Sequence, residues 1–186
     1  MILSLKELFD IVVMTAILGI IFQDLFRRFK NPFSLYGKPS FDWQGFKFAT
    51  AAIAPAVILH ELGHKFIAMG FGLSATFNAA YGWLGFGLVL KLLNVGFIFF
   101  VPAYVSIHGE ATALTYSIIA FAGPAMNLIL WMGAKYVLDK KLVKTKYLSF
   151  IYLTKQINMF LFIFNMLPIP GFDGFKVYQN LLQYVL

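Results

Sequence analysis

The chain has 186 residues, of which 60% are hydrophobic and only 12% are charged, whereas charged residues make up about a quarter of a soluble domain. This composition excludes an ordinary water-soluble fold. The formal net charge of +7 does not indicate nucleic-acid binding, because the 15 lysines and arginines are spread over loops between apolar segments. Cysteine is absent, which excludes disulfides, a thiolate nucleophile and cysteine-based metal sites.

Four apolar segments approach the roughly 20 residues that a helix needs to cross a hydrocarbon core about 30 Å thick. They are residues 8–26, 48–68, 111–134 and 147–165. We expect the first to remain as an anchor rather than a cleaved signal peptide, because Asp10 and Asp24 lie near its ends and basic residues follow it. The predicted fold class is an α-helical integral membrane protein with about four spanning helices.

Residues 72–107, between the second and third predicted helices, do not read clearly as one element. They are rich in glycine and aromatic residues, and the stretch FIFFVPAYVSI is typical of a strand. We predict a short membrane-associated β element here, a sheet or hairpin that dips into the membrane. One or two additional spanning helices are the alternative.

The sequence HELGH carries the strongest chemical signal. His60 and His64 are four residues apart, so both imidazoles project from one face of the second helix and can bind one cation. Glu61 lies beside them, and a carboxylate in this position can take a proton from metal-bound water. Placing an ionisable group at bilayer depth costs roughly 3 kcal/mol of free energy. This cost favours a functional site over a polar cluster whose members only hydrogen-bond to one another. We therefore predict a metal-dependent hydrolytic centre.

A zinc site of this type usually has three protein ligands, so a further side chain is required. Asp173 follows a segment in which Pro168 and Pro170 must interrupt the helix, and such irregular backbone can bring a carboxylate into a bundle. Glu110 is the competing candidate, and His108 is more typical of an interfacial histidine. We favour Asp173 as the ligand, and its alternative role is a helix N-cap.

Three motifs in this order resemble the site-2 proteases, membrane-embedded zinc metalloproteases that cleave transmembrane substrates. HELGH resembles the zinc helix of that family, GPAMN its third-helix motif, and NMLPIPGFDG its aspartate motif. The resemblance covers residues 48–174. It implies one zinc ion held by His60, His64 and Asp173, with Glu61 as general base and Asn165 as a polar group near the substrate carbonyl. It also implies a sheet between the second and third core helices that could pair with an extended substrate.

The GPAMN motif also has a structural interpretation. Gly123 and Pro124 are expected to permit close helix contact, the usual role of small residues in membranes. Two roles stay open for Asn127, which could hydrogen-bond a neighbouring helix or shape the active-site cavity.

These predictions combine into a single membrane-embedded domain over residues 1–186. Residues 1–47 form the anchor helix and a basic loop, residues 48–174 the catalytic core, and residues 175–186 a C-terminal helix. The basic loops 27–47 and 135–146 would both be cytoplasmic by the positive-inside rule. The resemblance implies the opposite side for the loop before the zinc helix, and we follow the resemblance.

The predicted function is intramembrane proteolysis by a zinc metalloprotease that hydrolyses peptide bonds within or near transmembrane segments of membrane proteins. A non-catalytic scaffold or chaperone is one alternative, although the intact HELGH argues against it. A metal-binding transporter is another, for which paired half-helices in two repeats would be expected. The expected partners are transmembrane substrates and the lipid bilayer, without nucleic acid, in a multi-pass protein of the cell membrane. The sequence leaves open whether the chain forms a homo-oligomer.

Overall fold

The computed structural model describes residues 2–30, 41–93, 95 and 101–186. In chain order the elements are α1 (Leu5–Lys30), α2 (Trp43–Gly70), β1 (Ser74–Ala79), α3 (Tyr81–Leu92), β2 (Ala103–His108), α4 (Ala113–Asp139), a short 3-10 turn (Thr145–Tyr147), α5 (Leu148–Asn165) and α6 (Asp173–Val185). Parts of two predictions, residues 31–40 of the basic loop and residues 97–100 of the strand-like stretch, lie outside the described residues.

Three helical segments in the described ranges are long and apolar enough to cross a membrane. They are Trp43–Gly70, Ala113–Asp139 and Thr145–Asn165, which correspond to the second, third and fourth predicted spans. Helix α1 is not among them, and it carries four charged side chains between Lys6 and Asp24. The predicted total of four spans is therefore not confirmed, and the first span stays a prediction.

The chain divides into two compact units, one formed by Met1–Pro55 with Asn78–Tyr104 and the other by Ala56–Phe77 with Val105–Leu186. In the first unit α1 packs against α3. It also approaches the beginning of α2 closely, since a Cβ atom at Gly19 would lie 2.6 Å from the ring of Phe46. The prediction of one domain over the whole chain is not tested by this division and stays a prediction.

A buried carboxylate ties α1 to the start of α3 within the first unit. Asp10 is only 2% exposed. Its Oδ1 accepts a hydrogen bond from the Tyr81 hydroxyl at 2.5 Å, and its Oδ2 lies 3.0 Å from the Lys6 ammonium. A buried charge with these partners avoids the large cost of an unpaired carboxylate in an apolar core.

The second unit is built around α4, which packs against α5 and α6. The N-terminus of α4 is capped by Thr112, whose side chain accepts from the backbone N–H of Thr115. Helix α5 ends at Asn165, and α6 begins at Asp173 after an irregular turn in which Gly171 has φ +99°. The predicted interruption at the two prolines is confirmed, and the turn brings the chain back so that α6 can lie against α4.

Strands β1 and β2 form a two-stranded sheet, which confirms the predicted β element between the second and third spanning helices. The backbone N–H of Ala80, just after β1, donates to the carbonyl of Pro102, just before β2, so the strands run antiparallel. Between them lies α3, a helix that our preferred prediction did not include and that the alternative gave only as an additional spanning helix. Its sequence is apolar apart from Lys91 near its end and offers no periodicity that separates helix from strand. With 12 residues it is about 18 Å long, too short to span a bilayer.

Candidate metal centre

The two histidines of HELGH lie side by side on α2, in the half of the helix that belongs to the second unit. Both side chains are buried, and their ring centroids are 4.8 Å apart. Their Nε2 atoms face each other at 3.2 Å. The four-residue spacing therefore produces the pair that the helical periodicity predicts.

Asp173 is the first residue of α6, in the same unit, and it completes the cluster. Its Oδ2 lies 3.0 Å from Nε2 of His60 and 3.2 Å from Nε2 of His64. The alternative cap role is not observed, because the residue in the N-cap position of α6 is Phe172 and no side-chain cap hydrogen bond is made there. Glu110, the competing ligand, is exposed and is not part of this cluster.

The start of α6 can reach the histidines because Gly174 follows Asp173 directly. A Cβ atom at Gly174 would lie 2.5 Å from the carbonyl group of Met166 at the end of α5. Any larger residue would push the first turn of α6 away from α5. The small residue in GFDG thus sets the position of the carboxylate.

The outer nitrogen of each imidazole faces a group that can only accept a hydrogen bond. His60 Nδ1 lies 2.6 Å from Oδ1 of Asn127, and His64 Nδ1 lies 2.8 Å from the carbonyl oxygen of Ile119. Both Nδ1 atoms must therefore carry the ring proton in the neutral imidazoles, which leaves a lone pair on both Nε2 atoms. Two such nitrogens and a carboxylate oxygen converge on one point, where a metal ion, or a proton shared between an Nε2 and the carboxylate, relieves their mutual repulsion.

The donor set fits a zinc ion. Zinc binds imidazole nitrogen and carboxylate oxygen at about 2.0–2.2 Å, so ligand atoms of one ion lie about 3 Å apart. The three separations in this cluster are 3.0, 3.2 and 3.2 Å. His60, His64 and Asp173 can thus hold one metal ion without a large rearrangement, although their role as ligands stays a prediction.

Burial acts against ionisation of Asp173, but the adjacent His60 and His64 outweigh burial and hold the pKa of the carboxyl below its ordinary value. The side chain is therefore charged at neutral pH. An ionised carboxylate is the form that binds a metal ion.

Gly123 forms the wall of α4 against which both imidazoles lie. A Cβ atom at this position would collide with Nε2 of His64 and would lie 2.6 Å from its Cε1 and 2.7 Å from Nε2 of His60. The predicted close helix contact is thus made with the side chains of the candidate ligands. Gly63 of α2 supports it, since its own Cβ would lie 2.8 Å from the carbonyl oxygen of Ala122.

We expect Gly123→Ala to weaken zinc binding about tenfold or more, because the added methyl group displaces the two Nε2 atoms, and changes around metal ligands typically have effects of this size. The measurement is zinc content of the purified protein after dialysis against a chelator. Gly133→Ala, on the same helix, is the matched control. Apart from the backbone of that helix, no described atom lies within 4 Å of the position that a Cβ at Gly133 would take. Equal zinc content in the two variants would contradict this role of Gly123.

The two residues predicted to take part in catalysis lie on different helices. Glu61 is buried, 8% exposed, and follows His60 directly on α2. Asn165 is the last residue of α5, where its side-chain amide donates to the carbonyl of Leu161 at 3.0 Å. The general-base role of Glu61 and the substrate contact of Asn165 both stay predictions.

Sequence reasoning missed one polar residue of this region, Asn158 of α5. It is 1% exposed, and its Oδ1 accepts a hydrogen bond from Nδ2 of Asn127 at 2.9 Å. The available signal was an amide side chain inside a predominantly apolar helix. Such a group is typically retained where it bonds a neighbouring helix.

Comparison with known proteins gives three relatives, each named "Putative zinc metalloprotease". A Methanocaldococcus jannaschii protein is 35% identical over 148 residues, which cover 77% of this chain and 75% of the relative. A Bacillus subtilis protein is 28% identical over 141 residues, covering 67% and 64% of the two chains. A Mycolicibacterium smegmatis protein is 30% identical over 143 residues, covering 64% and 51%. No solved structure matches the chain significantly.

The model of one protein family, described as Peptidase family M50, matches residues 132–186. The matched region contains Asp173 but begins after HELGH and GPAMN, so it tests neither of these two motifs. The relative from Methanocaldococcus extends the relationship over three quarters of its own length. The three long apolar helices agree with a membrane protein. These matches confirm the family expected from the motifs: the chain belongs to peptidase family M50.

Proposed function

We propose that the chain is an intramembrane zinc metalloprotease that cleaves peptide bonds within or near transmembrane segments of other membrane proteins. One observation carries the proposal. The Nε2 atoms of His60 and His64 and Oδ2 of Asp173 lie 3.0–3.2 Å from one another, and the two histidines stand on a helix that is apolar enough to span a bilayer. A hydrolytic metal centre has this donor set, and family membership supports the same activity.

We assign His60, His64 and Asp173 as the ligands of one zinc ion. When bound, zinc acts as a Lewis acid that polarises a carbonyl group and lowers the pKa of water. Two imidazoles and one carboxylate leave a fourth position for water or substrate, as in other hydrolytic zinc sites. The hydrogen bonds to Asn127 and Ile119 place the Nδ1 proton of each histidine on the side away from the cluster, so both Nε2 atoms face the position of the ion.

In this proposal Glu61 is the general base. It lies one residue from His60, in a buried position where few waters compete for its carboxylate. It accepts a proton from the attacking water and later donates a proton to the leaving amine, a role that is worth about 10²- to 10⁴-fold in rate. Asn165 would contribute a hydrogen-bond donor near the substrate carbonyl. Removing one such donor costs about 3 kcal/mol in other hydrolases.

A substrate helix must unwind locally before its peptide bond can reach the centre, because its carbonyl groups are hydrogen-bonded within the helix. Unwinding exposes polar backbone to lipid at several kcal/mol per unsatisfied group. We propose that the sheet of β1 and β2 offers replacement partners by pairing through a strand edge with the extended substrate.

We expect substrate helices with one Leu→Gly or Leu→Pro change near the scissile bond to be cleaved faster than their uniformly leucine-rich parents. Glycine and proline cost about 1 and 3 kcal/mol in a helix, so unwinding becomes easier. The assay uses purified protein in lipid bilayers with a matched peptide series, and with a chelator as the control for metal dependence. Equal rates throughout the series would contradict rate-limiting unwinding and remove the argument for edge pairing.

The two alternatives predict different behaviour in this assay. A scaffold or chaperone would bind the same peptides without cutting them, and a transporter would move metal across the bilayer without peptide hydrolysis. The proposed setting is a multi-pass protein of the cell membrane whose partners are transmembrane substrates. Cleavage that stops on zinc removal would favour the protease over both alternatives.

A further inference from the structure

A continuous chain of side-chain hydrogen bonds leads from the backbone of α5 to the metal centre. Asn158 Nδ2 donates to the carbonyl of Thr154 at 2.8 Å, and Asn127 Nδ2 donates to Oδ1 of Asn158 at 2.9 Å. Asn127 Oδ1 then lies 2.6 Å from Nδ1 of His60. Both asparagines are buried: Asn127 is 0% exposed and Asn158 is 1% exposed.

The direction of every bond in this chain follows from its anchor. A backbone carbonyl can only accept, so Asn158 must present its amino group to Thr154 and its oxygen to Asn127. Asn127 must then present its amino group to Asn158, and the same amino group lies 3.1 Å from the carbonyl of Ala56. Its oxygen is thereby fixed toward His60, and the proton of that imidazole is fixed on Nδ1.

We propose that Asn127, oriented by Asn158, is a positioning residue that holds His60 in the tautomer whose Nε2 is free to bind the metal. This inference rests on the proposed zinc site and extends it to two residues outside the ligand set. Neither asparagine touches the reacting atoms in this account. Each acts through His60, by fixing the ring orientation and the location of its proton.

A purely structural role explains the arrangement less well. An amide buried in a membrane helix has to be satisfied by hydrogen bonds, and a leucine of similar volume would fill the same space without that requirement. In addition, three residues on one face of α4 contact the two candidate histidine ligands. Ile119, Gly123 and Asn127 are spaced by four residues along one face, and they contact His64, both histidines and His60 in that order.

The two histidines differ in a way that makes the inference testable. His64 is oriented by the backbone carbonyl of Ile119, which no substitution removes, whereas His60 is oriented by a side chain. We expect Asn127→Leu to weaken zinc binding about 10- to 100-fold, the usual effect of removing an outer partner of a metal-bound histidine. The measurement is zinc affinity of the full-length protein in detergent, by competition with a chromophoric chelator.

Asn127→Asp separates positioning from packing. The introduced carboxyl group keeps an oxygen facing His60 Nδ1, and in its protonated form it can still donate to Asn158. We expect Asn127→Asp to retain more zinc affinity than Asn127→Leu, even where thermal unfolding shows that both variants are destabilised. Equal loss of zinc affinity in the two variants would overturn the positioning role and leave Asn127 as a packing residue.

Asn158→Leu tests the second member of the chain. It should weaken zinc binding less than Asn127→Leu does, and it should cause no further loss when added to Asn127→Leu, because both act through one bond. Thr154→Val is the matched control on α5, since its Oγ1 has no hydrogen-bond partner among the described residues and its carbonyl is retained. Additive losses in the double variant would contradict the relay.

Failure of this inference can be distinguished from failure of the proposed function. Wild-type zinc affinity in Asn127→Leu, in a protein that still cleaves its substrate, would overturn the inference alone. Absence of zinc binding in the wild-type protein would overturn both.

Discussion

Glu61→Gln is expected to abolish peptide cleavage while the protein retains its zinc. The amide has the shape of the carboxylate but cannot accept the proton of the attacking water, so the rate should fall by about 10²- to 10⁴-fold. Zinc content should stay at the wild-type level, because Glu61 is not part of the His60, His64 and Asp173 cluster. The measurement combines a cleavage assay on a transmembrane peptide with metal analysis of the same preparation.

Glu110→Gln is the matched control for this experiment. It makes the same chemical change at an exposed glutamate outside the cluster, and it should leave both cleavage and zinc content unchanged. A Glu61→Gln variant that cleaves at the wild-type rate would show that another group is the base. A variant that loses zinc as well would place Glu61 among the ligands.

Asp173→Ala should instead remove the zinc and, with it, all cleavage. The substitution deletes one of three donor atoms and the negative charge that offsets the metal, so the affinity should fall by more than the roughly 10- to 100-fold seen for outer partners. Asp173 makes no cap hydrogen bond on α6, so loss of a helix cap does not complicate the result. Equilibrium dialysis with zinc, followed by metal analysis, measures the effect.

Glu110→Ala provides the comparison for the third ligand. The two acidic residues could not be separated rigorously by sequence position, and the structure brings only Asp173 to the histidines among the residues that it describes. Full zinc binding in Asp173→Ala together with loss of zinc in Glu110→Ala would reverse the assignment.

The parts of the site that were predictable from sequence are those set by local periodicity. Two histidines four residues apart on a helix must share a face, and two prolines close together must end a helix. Both expectations agree with the geometry of α2 and of the turn before α6. The apolar lengths of α2, α4 and α5 also depend on local sequence alone. The ends of these helices lie within five residues of the predicted ones, and α5 ends at the predicted residue, Asn165.

Features that depend on contacts between distant segments could not be predicted in the same way. The role of Asn127 was undecided because it depends on which atom of α2 lies opposite α4. Asn158 was missed because its hydrogen-bond partners among the described residues are Asn127 and a carbonyl of its own helix. Helix α3 was missed because a short segment that is apolar apart from Lys91 carries no periodic pattern, and its packing against α1 is a contact between distant segments.

The most direct test of the account is a zinc titration of the metal-stripped protein in lipid bilayers, with bound zinc and cleavage of a transmembrane peptide followed together. We expect binding to saturate at one zinc ion per chain and the cleavage rate to rise in proportion to occupancy. His60→Ala should show neither change. Full cleavage by the stripped protein, or undiminished zinc binding by His60→Ala, would contradict the claim that this cluster is the catalytic metal centre.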